Sequence, residues 1–563
     1  MGTDDTGTRN IRTWADWLEA EKSGNCTAAE RRLVEACLAG ETCTVGDGDR
    51  PTTPTDANQI GADLLRYLII GGCKDYLAHE WGVDVYGAFI KGALDLRLIR
   101  AVGVTGMINC HFDRIIDALN ARLELLDLGG SRCAGLNAQG AEVKGDVFLR
   151  GGFVSKGEVR LSGAVIGGQL ACTEGRFENE GGYALNAHSA EVKGAVLLRG
   201  GFVSKGQVSL SGAVIGGQLA CTEGRFENEE GYALNAQGAE VKDAVFLRGG
   251  FVSKGEVSLS GAVIGGQLAC TEGRFENEGG NALDAQGAEI GLFFWRGVTR
   301  FDGHLLLSGA KARVLTDDAA SWGLVDRAYL DGFRYDTIHG PMDAASRLEW
   351  LDKACAYDGS FSPQPYEQLA WVLKRMGYNE QRLTVLIEKE KRLRKFEREN
   401  LRKRFATDDK IVFAWLKDWG FRILVGYGYR PGRSLWALFI LIAVGSFVAH
   451  QAYQKGDFAP NSDVILSTPE WQELAEGESA NPAYEWSSET GKGRDYETFS
   501  PVAYAIDVVI PIVAIGQEAA WAPSTNRGPW GKILWVLRWI LTGMGWLVTA
   551  VGAAAITGLI RRD

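Results

Sequence analysis

The side chains of this chain with the strongest case for chemistry lie near its C-terminus. Asp507 and Pro511 interrupt an apolar run, FSPVAYAIDVVIPIVAIGQEAAWAP (499–523), and Gly516, Gln517 and Glu518 follow within it. A carboxylate inside such a run is costly unless it faces water, a partner chain or a cation, so Asp507 is a functional candidate by position alone. Arg538, close to the start of the next apolar stretch, is the nearest cation able to pair with it. These six residues form a candidate membrane site. No catalytic, cofactor-binding or metal-binding residue is nominated beside them. The ten cysteines include no CxxC pair, the six histidines no HExxH, and no GxGxxG follows a strand and opens a helix.

Two flanking stretches, 434–453 and 533–560, are long and apolar enough to span a bilayer as helices. The run at 499–523 is too short and broken to span and reads as a re-entrant or interfacial segment. Basic residues crowd the approach to the first span, from Lys389 through Arg398 and Arg404 to Arg433, and Arg561 and Arg562 follow the second. Between the spans, residues 454–530 hold only Lys455, Lys492, Arg494 and Arg527 against twelve Asp and Glu. The imbalance places both termini in the cytoplasm and the acidic loop 454–498 outside. Span, broken apolar segment and span is also the plan of two-span cation channels. IVAIGQE (512–518) occupies the filter position but lacks the T-V-G-Y-G carbonyl ladder. VGYGYRP (425–431) precedes the first span and reads as a turn into the membrane.

The rest of the 563-residue chain must carry whatever the membrane end anchors. A formal charge of -11 and a pI near 5.3 exclude nucleic acid as the main partner, since phosphate binding needs clustered Lys and Arg. The stretch LSGAVIGGQLACTEGRFENE recurs unchanged at 161–180, 210–229 and 259–278, within a 49-residue unit. Each unit splits into two rows of period two: Ala141, Val143, Gly145, Val147 and Leu149, then Ala164, Ile166, Gly168, Leu170 and Cys172. Period two is the strand signal, and 23- to 26-residue coils broken at glycine corners describe a β-solenoid. About ten coils over residues 84–320 are expected. In this register Leu149, Cys172, Leu198, Cys221, Leu247 and Cys270 form one inward column, with cysteines as apolar fillers. Arg176, Glu178, Lys193, Lys205 and Glu223 dress the surface with mixed sign. Exposed positions such as Thr173 and Asn179 carry no evident packing constraint.

Four domains follow: an N-terminal helical cap (1–83), the solenoid (84–320), a helical linker with a basic juxtamembrane segment (321–433) and a two-span membrane domain (434–563). The residues LSGAVIGGQLAC, WGLVDRAYLDGFRYD, SPQPYEQLAWVLKRMG, GYGYRPGRSLWA and AYAIDVVIPIVAIGQEAAW resemble a bacterial family of repeat proteins with two C-terminal spans. Some of its members are labelled membrane-associated oxidoreductases. The resemblance implies a bacterial inner-membrane location. Three functions stay open: a membrane-anchored scaffold or sensor whose solenoid binds a protein or polymer partner, an ion-conducting pore, and an oxidoreductase. Membrane lipid is a partner in all three, and a homo-oligomer through the membrane domain fits the channel plan. No cofactor is assigned.

Overall fold

The structure is a computed structural model that describes residues 9–73, 80–356, 359–404, 408–510 and 512–557. Two compact units divide it, residues 1–385 and 386–563.

The first unit is a parallel β-solenoid of about eleven turns, built as two facing sheets of 19 and 16 strands. Most of its strands are short because each side of a coil is only a few residues long before a glycine corner turns it. One coil shows the plan: strands Glu142–Val143, Val147–Phe148, Val154–Ser155 and Val159–Arg160, with Val143, Val147, Leu149, Phe153, Ser155, Val159 and Leu161 pointing inward and buried. The rungs stack in register, for instance Val147 on Leu170, Leu170 on Val196 and Val196 on Leu219. The expected column is present: Leu149, Cys172, Leu198, Cys221, Leu247 and Cys270 are all fully buried on successive coils.

That column also shows why the sequence repeat spans two coils. A second filler alternates beside it. Phe153, Phe202 and Phe251 occupy one inward position on alternate coils, and the intervening coils carry Gly175, Gly224 and Gly273 there. At the neighbouring position the order is reversed: Ser155, Phe177, Ser204, Phe226, Ser253 and Phe275. Each coil thus supplies one phenylalanine, and the rings form a continuous zigzag with centroids 5.2 to 5.5 Å apart from Phe153 to Phe275. Single-coil repetition would superpose ring on ring in one column and leave the other empty. Close packing therefore favours a two-coil period.

The 26-residue coils differ from the 23-residue ones by a bulge in the strands Arg176–Asn186, Arg225–Asn235 and Arg274–Asp284. Asn179 closes the first bulge by donating its side-chain amide to the Tyr183 carbonyl at 2.8 Å, and Asn228 and Asn277 repeat the bond. Asn179, unconstrained by the sequence reading, is therefore held by this contact. On the next coil Gly206, with φ +114°, lies beneath the bulge, where a Cβ would run into the Asn179 carbonyl.

The ladder exceeds the expected 84–320 at both ends. Cys43–Thr44 pairs with Val85–Tyr86, and Gln59–Gly61 pairs with Phe89–Lys91, so part of the expected helical cap (1–83) is strand. At the other end Arg327–Tyr329 and Arg334–His339 extend the two sheets, placing a further coil inside the expected linker. There the Leu–Cys column continues through Trp295 to Asp317, a buried carboxylate bound by Arg347 at 2.5 and 2.9 Å and by the Trp322 indole at 2.7 Å. Arg347 belongs to the helix Ala344–Asp352. Gln364 and Gln368, on the helix Gln364–Arg375, bond the Gly332 amide and the Tyr335 carbonyl of the last coil. At the N-terminal end Trp14–Lys22, Ala28–Ala39 and Ala62–Ile69 are helices, the first two opened by capping boxes at Thr13 and Thr27.

The second unit is helical. Its two apolar helices, Gly432–Gln454 and Pro529–Ile556, are each long and apolar enough to cross a membrane. Large side chains such as Trp436, Phe439, Trp539 and Leu547 lie 58 to 69 % exposed on them, which is unlike the core helix of a water-soluble domain. The acidic segment between them is folded: helices Pro469–Glu476 and Pro482–Ser487 pack Trp471 and Trp486 into a buried cluster with Phe458, Phe499 and Trp521. The VGYGYRP turn is a turn, with Tyr427 at φ +57°.

Candidate functional site

The run 499–523 forms a nine-residue helix, Pro501–Val509, then a loop, a single helical turn Gln517–Ala520 and a short strand Trp521–Pro523. Ser500 caps the helix and Pro501 opens it. The helix packs on both apolar helices where glycine allows it. A Cβ added at Gly445 would stand 3.2 Å from the Ala505 methyl, and one at Gly545 would run into the Val509 carbonyl. Thr542 also donates to the Val508 carbonyl at 3.1 Å. The returning strand pairs antiparallel with Phe458–Pro460, just beyond the first apolar helix.

Asp507 does not pair with Arg538: no ion pair joins them among the described residues. Its carboxylate instead accepts three backbone amides, from Ile515 at 2.5 Å, Gln517 at 2.7 Å and Glu518 at 3.2 Å. The loop thus folds back over the acid, and Gly516, at φ +101°, provides the left-handed turn that aims these amides at it. Gln517 is 2 % exposed and ties the loop to the preceding segment. Its amide nitrogen donates to the Glu497 carboxylate and the Thr498 carbonyl, and its oxygen accepts the Ser500 amide. The Glu518 carbonyl accepts from Asn461 at 3.1 Å. Arg538 places its guanidinium 5.4 Å from the Trp539 ring centre. Pro511 lies outside the described residues, as do Arg561 and Arg562. Of the six nominated positions, Asp507, Gly516, Gln517 and Glu518 therefore form one hydrogen-bonded turn, and Arg538 stands outside it.

Sequence reasoning missed Asp457. It is 3 % exposed, accepts the Gly531 amide at 2.9 Å and so caps the second apolar helix from the end of the first. Its signal was available only as an acid just after an apolar stretch. A second missed group lies before the first apolar helix. Asp418 accepts the Tyr427 hydroxyl at 3.0 Å and Arg398 at 2.5 Å, with Arg394 3.6 Å away, and fixes the Gly-Tyr-Gly turn.

On the solenoid, the outward side of the Val147–Phe148 strand and its equivalents carries Phe148, Leu197, Phe246 and Phe294 on alternate coils, separated by Ala171, Ala220 and Ala269. Two residues beyond each large apolar residue stands an exposed arginine: Arg150, Arg199, Arg248 and Arg296. Arg150 and Arg248 lie 3.9 and 4.1 Å over the Phe148 and Phe246 rings. Several of the other surface charges pair locally, as in Lys205–Glu180 and Arg274–Glu276, both at 3.5 Å. Burial pushes the Cys172, Cys221 and Cys270 thiols far above their ordinary pKa, Cys133 up to about 11 and Cys110 to about 12, so these groups are neutral and inert. Among the described residues no cluster of three His, Cys, Asp or Glu side chains is placed to hold a metal ion.

No family model, curated protein or solved structure matches this chain.

Proposed function

We propose that this protein is a membrane-anchored scaffold whose β-solenoid presents a repeated outward surface to a protein or polymer partner. The observation that carries the reading is the outward Phe/Leu and Arg pairing. It recurs with the 49-residue unit, at a spacing of about 9 to 10 Å, on the outer face of the coils, where Phe148 and Phe246 are half-buried around buried Leu197 and the arginines are exposed. Repeating an apolar group beside a guanidinium multiplies weak contacts along one partner. The helices at the two ends of the solenoid act as caps: Gln364 and Gln368 bond the free edge of the last coil, which would otherwise be open to pairing with another chain.

The uncovered faces of the two apolar helices support membrane anchoring, and the excess of basic residues before the first supports a cytoplasmic solenoid. The bacterial inner membrane rests on the family resemblance. In this reading Pro501–Val509 and its loop are re-entrant, since the helix packs at Gly445 and Gly545, well inside the two apolar helices, before the chain turns back. With Asp507 committed to three backbone amides, the acid supports a structural turn over an ion pathway.

The test is affinity capture on membranes from cells expressing the full chain, against a variant with Arg150, Arg199 and Arg248 all changed to Glu. A partner retained by the parent and lost by the variant supports the reading. An unchanged set of partners removes it. A topology reporter belongs at exposed Glu478, in the acidic segment between the two apolar helices. Reporter activity there only outside the cell supports the orientation, and activity only inside overturns it.

A further inference from the structure

The helix Asp408–Val425 leads into the first apolar helix through the turn fixed by Tyr427 and Asp418. Trp415, Trp419 and Ile423 stand on it at four-residue intervals, 53, 54 and 48 % exposed. Successive steps of four advance a helical residue by about 40°, so the three form one stripe. Lys417 falls on the opposite side of the exposed surface, and Arg422 borders the stripe. The turn cannot swing freely: Tyr427 is 3 % exposed, and Asp418 holds its hydroxyl together with Arg398 of the preceding helix. The helix also packs against both apolar helices. Beyond the turn the bare apolar surface resumes at Leu435 and Trp436, 64 and 69 % exposed.

We propose that the helix Asp408–Val425 lies in the interface of the bilayer, with Trp415, Trp419 and Ile423 among the acyl chains, Arg422 reaching the headgroup phosphates and Lys417 in water. The inference rests on the membrane reading of Gly432–Gln454. Lipid is the occupant because bare apolar surface resumes directly beyond the turn, at Leu435 and Trp436 of the apolar helix against which this one packs. Two indoles beside an arginine are also the side chains that interfaces favour, since each joins an apolar body to a polar edge. The helix would then couple the basic approach segment to the membrane plane.

The test uses the full chain with partly exposed Cys355 replaced by Ser; the other nine cysteines are buried and escape labelling. Single cysteines at 415, 419, 417 and 440 carry an environment-sensitive fluorophore, and the protein is reconstituted in phosphatidylcholine–phosphatidylglycerol vesicles with or without doxyl-labelled lipid. Expected is loss of emission to doxyl lipid at 415 and 419 as at 440, with 417 quenched only by aqueous iodide. Doxyl quenching at 440 together with iodide quenching at 415 and 419 overturns the inference and leaves the membrane span standing. Labels at 415 and 419 shielded from both quenchers mean that protein covers the stripe, which also overturns it. Absence of doxyl quenching at 440 removes the span itself.

Discussion

Gly175 lies against Phe177: a Cβ on the glycine would stand 2.8 Å from the ring, and one coil earlier the same inward place is filled by Phe153. The relation recurs at Gly224 with Phe226 and Gly273 with Phe275. Gly224→Ala overpacks a corner already closed by the Leu198 and Cys221 carbonyls, 2.8 and 3.0 Å from the added atom. It should cost about 1–3 kcal/mol. Phe226→Ala opens a cavity and should cost about 3–5 kcal/mol. Chemical denaturation of the isolated variants in parallel measures both, and a neutral Gly224→Ala would refute the packing account.

Deleting residues 185–233, one 49-residue unit, leaves Leu facing Cys and each phenylalanine facing a small residue, because two coils are lost together. The shortened chain should fold with a β signal reduced in proportion. Deleting residues 170–195 removes one coil and sets Leu149 on Leu198, Phe153 on Phe202 and Ser155 on Ser204. That chain should express poorly or aggregate. Equal behaviour of the two deletions in expression and circular dichroism would refute the two-coil period.

Asp507→Asn replaces a carboxylate that accepts three amides by a group with one acceptor oxygen, and should destabilise the loop by about 1–3 kcal/mol. Adding Arg538→Gln should not restore it, since the two side chains form no ion pair. Thermal unfolding in detergent of the single and double variants decides the matter: recovery in the double variant would show a pairing that this geometry lacks.

The buried thiols make the solenoid sensitive to alkali. In the unfolded chain Cys172, Cys221 and Cys270 ionise near pH 8.5, whereas burial raises their folded pKa well above that. Their contribution to stability is present in full below the unfolded value and is lost as pH rises from there toward the folded value. Stability should therefore fall above about pH 9. A variant with all three changed to Ala should start lower, by on the order of 1 kcal/mol per site, yet decline less steeply. Denaturation midpoints from pH 7 to 10.5 measure the slopes; identical slopes would refute the assignment.

The chain of amino acids determined the solenoid on its own, because a period-two row repeated at 23 and 26 residues leaves a coil no other way to bury its apolar side. It fixed the Leu–Cys column for the same reason, and marked the two apolar helices and the Gly-Tyr-Gly turn. What the sequence left open depended on neighbours distant along the chain. The reciprocal Gly–Phe and Ser–Phe positions were visible as residues, but their role emerges only when successive coils are superposed. Asn179 looked free until its bulge closed around it. Asp507 drew attention as an acid in an apolar run, and charge alone pointed to Arg538. The backbone decided otherwise: a turn at Gly516 brings three amide hydrogens to the carboxylate at bonding distance, and hydrogen bonds at that range satisfy the acid without the arginine. Charge can be read from composition, but the direction of an N–H exists only once the chain has folded.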